Sequence, residues 1–369
     1  MEKIIYLDVA ATTPVHEEVV AEMNKFYLEN YGNPSSQHEL GENAQKAINE
    51  ARKNLAKEIN AKPQEIIFTS GSTESNNLAF FGLAKTNKNK KKIIISAIEH
   101  SSIFEICNSL KESYKIIEIP VNKEGLINIE KLEKEIDKDT LLVSIIHANN
   151  EIGSIQDIEK IGKLCKENKV YFHTDAAQSF GKLDIDVKKM NITLLTASAH
   201  KISGPKGIGL LYVKENVNIA PIIHGGGQER NLRGGTENVP AIVGFAKALE
   251  ITKKSDKNKI AELRNYFIQK LENINGKING SKEGIYNIIN VSFPKTDAEK
   301  IVLSLSQKGI MCSTGSACES KKKIENKTLK AIGLNEKEIN SSLRFSFSDN
   351  IKNKDIDFVA EQLTNALKI

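Results

Sequence analysis

The chain has 369 residues, of which 40% are hydrophobic and 27% are charged, and its formal net charge at pH 7 is +5. This length exceeds the size at which a single core grows efficiently, so we expect two domains. The composition argues against a disordered chain and against a dedicated nucleic-acid-binding protein. The first residues lack the pattern of a secretory signal, and no apolar run reaches the roughly 18 residues of a membrane-spanning helix. We therefore expect a soluble, cytoplasmic protein with no membrane partner.

Most of the basic excess lies in lysine runs interleaved with Asn, Ser and Glu, at residues 85–92, 253–259 and 321–323. This pattern is typical of solvated loops and helix ends. The four cysteines form no CxxC pair, and a chain without an export signal is expected to keep its thiols reduced. The sequence therefore predicts no disulfide framework, no zinc site and no direct binding of nucleic acid.

The first clear element is an amphipathic helix over residues 45–59, whose apolar positions recur at helical spacing. Short β-rich runs then alternate with helical stretches from residue 60 to residue 213, which is the pattern of strands joined by helical crossovers. Several runs are apolar without alternation, as expected for strands covered on both faces. We predict seven strands, at residues 66–69, 92–97, 115–119, 141–147, 170–174, 192–197 and 208–213. The fold class is therefore α/β, with a mostly parallel seven-stranded sheet in the large domain.

The segment FTSGSTESNN, residues 68–77, leaves the first of these strands and enters a helix through Ser72, Thr73 and Glu74. Free backbone N–H groups and the positive end of the helix dipole attract a phosphate group, and the hydroxyl groups add donors. A simple capping box is an equally good interpretation of this segment taken alone. No GxxxxGK[ST] sequence occurs, so the segment is not the usual nucleotide phosphate loop.

Polar segments follow three other predicted strands at the same edge of the sheet, namely EHSS, HANNE and YFHTDAAQ (residues 99–102, 147–151 and 171–178). They place His100, Asn150, Asp175 and Gln178 where ligands of α/β proteins collect. A carboxylate at Asp175 would pair with a protonated pyridine nitrogen and make a cofactor ring a better electron sink. A helix N-cap is an equally good interpretation of Asp175 without the other segments.

The segment TASAHKISGPKGIGLLY, residues 196–212, places Lys201 where a strand gives way to a turn. With 52 lysines and arginines in the chain, an exposed loop lysine is the default interpretation of any one of them. Ser198 and His200 change that balance because they offer hydrogen-bond donors beside Lys201, and the glycines allow tight backbone paths near a bound group. Desolvation keeps such a lysine partly neutral, which Schiff-base formation with an aldehyde requires.

The alternation of short strands and helices ends at about residue 239. We predict two long helices at residues 240–253 and 258–274, a strand at 286–293 and a helix at 297–308. A segment that contains Cys318, a strand at 342–347 and a final helix complete the chain. This order suggests a smaller α+β unit. We predict a large cofactor-binding domain of residues 14–250 and a small domain of residues 1–13 with 251–369, which carries the cysteine segment.

Taken together, these segments resemble the cysteine desulfurases of the class V aminotransferase family, in the group with NifS-like and IscS-like cysteine loops. The ordered series covers nearly the whole chain, because it also includes YLDVAATTP, GNPSSQH, GGGQERNLRGGTEN, STGSAC and LRFSFS (residues 6–14, 32–38, 225–238, 313–318 and 343–348). So many chemically different segments in one order are highly specific, whereas any single one is weak. The resemblance implies the fold-type I architecture of the pyridoxal-phosphate-dependent transferases, with pyridoxal 5'-phosphate as cofactor.

The resemblance also implies the residues that bind this cofactor: Ser72, Thr73, His100, Asn150, Asp175, Gln178, Ser198, His200, Lys201 and Thr236. Lys201 would carry the cofactor covalently, His100 would stack on its ring and act in catalysis, and Asp175 would pair with the ring nitrogen. The phosphate would contact Thr73, Ser198 and His200, and the oxygen side of the ring would contact Gln178 and Asn150.

Thr236 matches the threonine that reaches the phosphate in the neighbouring subunit, so a homodimer with shared active sites is implied. Arg344 matches the arginine that grips the substrate carboxylate, with Asn150 beside it. The bidentate fork of an arginine suits that task better than a lysine does.

Cys318 matches the catalytic nucleophile of the family. It follows small residues and precedes the polar residues 319–323, a setting in which a thiol can be exposed and can move. Buried packing is the commoner role of a free cysteine, and we expect it for Cys107, Cys165 and Cys312.

The expected reaction converts L-cysteine to L-alanine and transfers the sulfur to Cys318 as a persulfide. A selenocysteine lyase or an aminotransferase of the same fold would use Lys201 without a sulfur acceptor, and the cysteine segment argues against it. A docking protein that retains the cofactor without catalysis is a further alternative, which the intact set of Lys201, Cys318 and Arg344 makes less attractive. The acceptor protein would be an iron–sulfur scaffold or a tRNA-thiolation protein, and the sequence does not choose between them.

Overall fold

The computed structural model of the chain describes residues 4–314 and 326–367. Within these ranges the strands are, in chain order, β1 (Ile5–Tyr6), β2 (Ile66–Thr69), β3 (Lys92–Ser96), β4 (Lys115–Ile119), β5 (Thr140–Ser144), β6 (Tyr171–Asp175), β7 (Leu194–Ser198), β8 (Gly209–Val213), β9 (Lys277–Asn279), β10 (Ile288–Ser292), β11 (Ile310–Met311) and β12 (Ser342–Ser346). The α-helices are α1 (Glu17–Leu28), α2 (Glu39–Glu58), α3 (Ser72–Thr86), α4 (Ser101–Leu110), α5 (Ile129–Glu135), α6 (Ile158–Glu167), α7 (Val239–Lys254), α8 (Lys257–Glu272), α9 (Ala298–Ser306), α10 (Lys327–Ala331), α11 (Glu336–Asn340) and α12 (Asn353–Ala366).

The large sheet has seven strands in the order β2-β8-β7-β6-β5-β3-β4. Strands β3 to β7 pair in parallel, whereas β8 runs antiparallel to both of its neighbours. Helices cover both faces, because Ile94 of β3 packs into one hydrophobic cluster while Ile93 and Ile95 pack into the other. This double cover is the reason why the strands are apolar without alternation. The predicted α/β class and the mostly parallel seven-stranded sheet are confirmed.

Element boundaries differ from the predicted ones where a local pattern does not mark the end of an element. The predicted strand 141–147 leaves the regular ladder after Ser144, although its apolar run continues. The predicted helix 45–59 begins earlier, as α2 at Glu39, because the imidazole of His38 caps its N-terminus by accepting a hydrogen bond from Gly41 N. Histidine is outside the usual set of N-cap residues, so no local pattern marks the start of this helix.

The chain beyond α7 builds a second unit, in which β12, β10 and β9 form an antiparallel sheet and β1 pairs with β11 in parallel. Ile5 and Leu7 belong to the same hydrophobic cluster as Phe267 and Phe345 of this unit. The N-terminal residues therefore pack with the C-terminal part of the chain. Helix α7 continues through residue 250 to Lys254 and packs on α1 and α2. In the part of the chain that the structure describes, no helix is long and apolar enough to cross a membrane.

Candidate active site

A cavity of about 440 Å³ opens at the carboxyl ends of the parallel strands. The predicted site residues that line it are Ser72, Thr73, His100, Asn150, Asp175, Gln178, Ser198, His200, Lys201 and Arg344. Thr236 is exposed and does not line this cavity. Cys318 lies outside the described residues. The fold thus brings ten predicted side chains from distant parts of the chain to one site.

The segment that was predicted to bind a phosphate, residues 68–77, forms the turn between β2 and α3. Gly71 is the N-cap of α3, with φ of 151°, and no side chain caps this helix. The capping-box interpretation is therefore wrong, and the helix N-terminus is left for a ligand. Ser72 Oγ is buried without a hydrogen-bond partner among the described residues, and a Cβ at Gly71 or Gly207 would meet no atom within 4 Å. This cradle fits an anionic group that offers acceptors to the hydroxyl and to the backbone.

Lys201 follows β7 in a short 3₁₀ turn, Ala199–Lys201, and lines the cavity. The Nζ atom donates to the carbonyl oxygens of Ala10 and Ala11, at 2.7 and 2.8 Å. The amine of Lys201 is thus aimed by the N-terminal segment rather than left in solvent. These two backbone acceptors were not predicted from the residues themselves, since an alanine carries no polar side chain to mark them.

Asp175 is the last residue of β6 and is buried. Its Oδ1 accepts from Ala177 N at 2.9 Å and its Oδ2 accepts from the amide of Asn76 at 2.9 Å. The first contact is an Asx turn. No helix follows β6 before β7 among the described residues, so the N-cap interpretation of Asp175 is wrong. Asn76 was not predicted from the sequence, because nothing local to residues 68–77 indicates a partner 99 residues away.

Two histidines of the cavity wall are held neutral by their surroundings. Burial lowers the pKa of His100, the Asp175 carboxylate opposes this shift and Lys201 adds to it. Burial also lowers the pKa of His200 to about 4, with Lys201 as the next cause. Neutral imidazoles beside Lys201 do not compete with it for a proton or for an anion.

Arg344 lies on β12 with its guanidinium buried at the rim of the cavity. Its Nη2 pairs with Asp8 at 2.7 Å, its Nη1 donates to the carbonyl oxygen of Asn150 at 3.0 Å, and its Nε has no partner within the described ranges. Asp8 was also missed, since it is 336 residues away in the chain. The pair fixes the guanidinium and leaves donors for a further carboxylate.

The cysteine segment is the stretch that contains Cys318, and its described ends are Ser313 on one side and Asn326 on the other. Both ends are attached beside this cavity. Ser313 exchanges backbone hydrogen bonds with Arg344, at 3.2 and 2.7 Å. On the far side, Asn326 donates to Glu151 at 2.5 Å, next to Asn150. Ser313 and Asn326 are therefore both held beside residues that line the cavity.

The thiols of the three described cysteines are protonated at neutral pH. Burial raises the pKa of Cys107, Cys165 and Cys312 to about 12 in each case. Cys107 and Cys165 are buried as expected, whereas Cys312 is partly exposed and packs against the core of the second unit. A thiol that stays protonated is a poor nucleophile.

The donor set of this site fits pyridoxal 5'-phosphate. An amine, a buried carboxylate and an anion cradle with an unpartnered hydroxyl are what the aldehyde, the ring nitrogen and the phosphate of that group require. The family profile described as aminotransferase class-V matches residues 5–359. The chain therefore belongs to the class-V aminotransferase family and is pyridoxal-phosphate-dependent.

Similar proteins narrow this assignment. A cysteine desulfurase IscS of Clostridium botulinum is 44% identical over 378 residues, which cover 100% of this chain and 95% of the relative. A mitochondrial cysteine desulfurase of Candida albicans is 44% identical over 372 residues, covering 97% of this chain and 76% of the relative. Among solved structures, a NifS-like protein has a TM-score of 0.94 at 37% identity and covers 99% of this chain and 100% of that one. Within its family, the chain falls in the class of the cysteine desulfurases.

A further solved structure is described as SspA in complex with cysteine. It has a TM-score of 0.85 at 39% identity and covers 93% of this chain and 98% of that one. The predicted family, fold and cofactor are all confirmed by these comparisons.

Proposed function

We propose that this chain is a cytoplasmic homodimer that converts L-cysteine to L-alanine and takes the sulfur onto Cys318 as a persulfide. The observation that carries the proposal is the convergence of Lys201, Asp175 and Arg344 on one cavity, with both described ends of the cysteine segment attached at its rim. The persulfide sulfur would pass to an acceptor protein, either an iron–sulfur scaffold or a tRNA-thiolation protein.

Substrate binding is assigned to Arg344. Its guanidinium is oriented by Asp8 and by the carbonyl of Asn150 before any ligand arrives. A preorganised guanidinium binds a carboxylate in two parallel hydrogen bonds and fixes which way the amino acid points. The α-carbon of the substrate would then face the amine of Lys201, which lines the same cavity.

The cofactor, when bound, supplies an electron sink that weakens the bonds at the α- and β-carbons of the substrate. Asp175 would keep the ring nitrogen protonated, and the anion cradle at Ser72 and Thr73 would hold the phosphate. Lys201 would take the proton from the α-carbon of the substrate as a general base. The pKa of His200 is lowered to about 4, so His200 is a weak base and does not compete with Lys201 for that proton.

Sulfur transfer is assigned to the Cys318 thiolate. It attacks the substrate sulfur, so that an S–S bond forms while the C–S bond breaks, and the electron pair stays with the carbon fragment. That fragment takes up a proton and leaves as alanine.

The dimer is supported by the position of Thr236. It is exposed and lies outside the cavity of its own chain, so a partner subunit is the natural recipient of its hydroxyl. The same loop is anchored to its own subunit by Arg233, which pairs with Glu74 at 3.0 Å.

The proposal is tested by mixing the holoenzyme with L-cysteine and measuring alanine release together with the mass of the protein. We expect one added sulfur, located on Cys318, and alanine in the supernatant. Cys318→Ala should keep the bound-cofactor absorbance and lose alanine formation, whereas Lys201→Ala should lose both.

Cys312→Ala is the matched control, because its thiol is held protonated and is expected to be dispensable. Sulfur found on another cysteine, or wild-type alanine release by Cys318→Ala, would refute the assignment. Alanine formation without any added sulfur would instead favour a lyase of the same fold.

A further inference from the structure

A chain of hydrogen bonds connects Asp175 to His100 behind the cavity wall. The Nδ2 of Asn76 lies 2.9 Å from Asp175 Oδ2 and 3.1 Å from Ser102 Oγ. The Oγ of Ser102 in turn lies 2.9 Å from His100 Nδ1. Asn76 is on α3 and fully buried, and Ser102 is in the first turn of α4. Two helices thus join the two groups that are expected at the cofactor ring.

The direction of each hydrogen bond follows from what each atom can do. The Asp175 carboxylate only accepts, so Asn76 must present its NH₂ group to it. The same NH₂ group donates to Ser102 Oγ. The hydroxyl of Ser102 donates in turn to His100 Nδ1, because the backbone N–H that points at the same nitrogen requires a lone pair there. The backbone N–H of Ser102 also donates to Nδ1, at 3.2 Å, because His100 is the N-cap of α4. Two donors therefore face one ring nitrogen.

A ring nitrogen that faces two donors cannot itself carry a proton. We propose that Asn76 and Ser102 are positioning residues that fix His100 as a neutral imidazole with its proton on Nε2. That nitrogen is the one left for the cavity that His100 lines. The imidazole would then present an N–H donor to the ring or the substrate. The catalytic use of this donor rests on the proposed function, whereas the tautomer is a property of the protein alone.

The charges around His100 agree with this assignment. Asp175 favours the imidazolium, while Lys201 and burial disfavour it. His200, on the same wall, is itself held neutral. The N-terminus of the ten-residue helix α4 carries positive partial charge toward Nδ1 and disfavours a second proton there.

The test is ¹⁵N NMR of histidine-labelled protein, with and without pyridoxal 5'-phosphate, and with the His100 signals assigned by their loss in His100→Gln. We expect Nδ1 of His100 to show the shift of an unprotonated nitrogen and Nε2 that of a protonated one at neutral pH. Ser102→Ala removes one donor to Nδ1, so the imidazolium becomes easier to form. Its titration midpoint should rise by about half a pH unit, the effect expected for one neutral hydrogen bond.

Ser102→Thr keeps the hydroxyl and should keep the midpoint, and Ser101→Ala makes the same deletion one residue away, outside the chain of hydrogen bonds. A protonated Nδ1 in the wild-type protein would overturn the proposal, as would an unchanged midpoint in Ser102→Ala. These signals do not depend on alanine formation. A protein that shows the expected tautomer but forms no alanine would contradict the proposed function and leave this inference standing.

Discussion

Glu99, the residue before His100, is a carboxyl group whose burial has a measurable consequence. Its Oε1 accepts from Ser96 Oγ at 2.5 Å and from Ile146 N at 2.8 Å, while its Oε2 is buried without a partner among the described residues. Burial raises the pKa of Glu99 from 4.5 to about 8, and the nearby Asp175 adds to the shift. Glu99 is therefore protonated at neutral pH, and it holds Ile146 at the cavity wall.

The stability of the fold should depend on pH through this group. Unfolded Glu99 ionises near pH 4.5 and folded Glu99 near pH 8, so the folded protein binds the extra proton between these values. Stability is then lost as the pH rises through this window, by up to about 1.4 kcal/mol per pH unit. Glu99→Gln, which cannot ionise, should gain stability relative to wild type from pH 5 to pH 8 in urea unfolding. Glu105→Gln, at an exposed position of α4, is the control, and parallel curves for wild type and Glu99→Gln would contradict the pKa assignment.

At the scale of elements, the loop that carries Thr236 holds unfavourable backbone geometry. Glu229, Arg230 and Asn231 adopt φ values of 45°, 58° and 65°, in the left-handed region that residues with a Cβ seldom occupy. The loop persists because Glu229 forms a buried, two-pronged ion pair with Arg52 of α2, both contacts at 2.7 Å. Glu229 also accepts from Phe68 N at 2.9 Å, which attaches the loop to β2.

Removal of the Arg52 side chain should therefore destabilise the folded protein. Arg52→Met leaves the Glu229 carboxylate buried without its cation, and we expect a loss of about 3–5 kcal/mol in the free energy of unfolding. Lys53→Met, at the neighbouring exposed position, should change it little. Adding Glu229→Gln to Arg52→Met should recover part of the loss, because the uncompensated charge is gone. Equal stability of Arg52→Met and Lys53→Met would show that the pair does not hold the loop.

At the scale of the whole molecule, the proposed homodimer makes a prediction about mixed subunits. A Lys201→Ala subunit and a Thr236→Ala subunit are each expected to have low activity when prepared alone. A dimer of the two contains one site with both residues intact, if Thr236 serves the partner. Co-refolding the two variants should restore roughly a quarter of the wild-type alanine release, since half of randomly assorted dimers are mixed and carry one good site. No rescue in verified mixed dimers would place the action of Thr236 in its own subunit.

The fold was largely predictable because its signals are local. Strands β2 and β4 begin and end at the predicted residues, because each is a short isoleucine-rich run that the local sequence marks. The boundary of β5 and the start of α2 were not predictable. The apolar run of β5 continues past the end of the ladder, and the cap of α2 is a histidine.

The sequence by itself determined which residues face the cavity. Polar segments that follow parallel strands must meet at one edge of the sheet, so the positions of His100, Asp175 and Lys201 followed from the order of the elements. Tertiary structure alone decided the partners that orient them: Asn76 for Asp175, Asp8 for Arg344, and the carbonyl of Ala10 for Lys201. These contacts join residues 99, 336 and 191 positions apart. Hydrogen bonds between such distant residues arise only when two layers of the fold pack, and no local pattern in either segment specifies them.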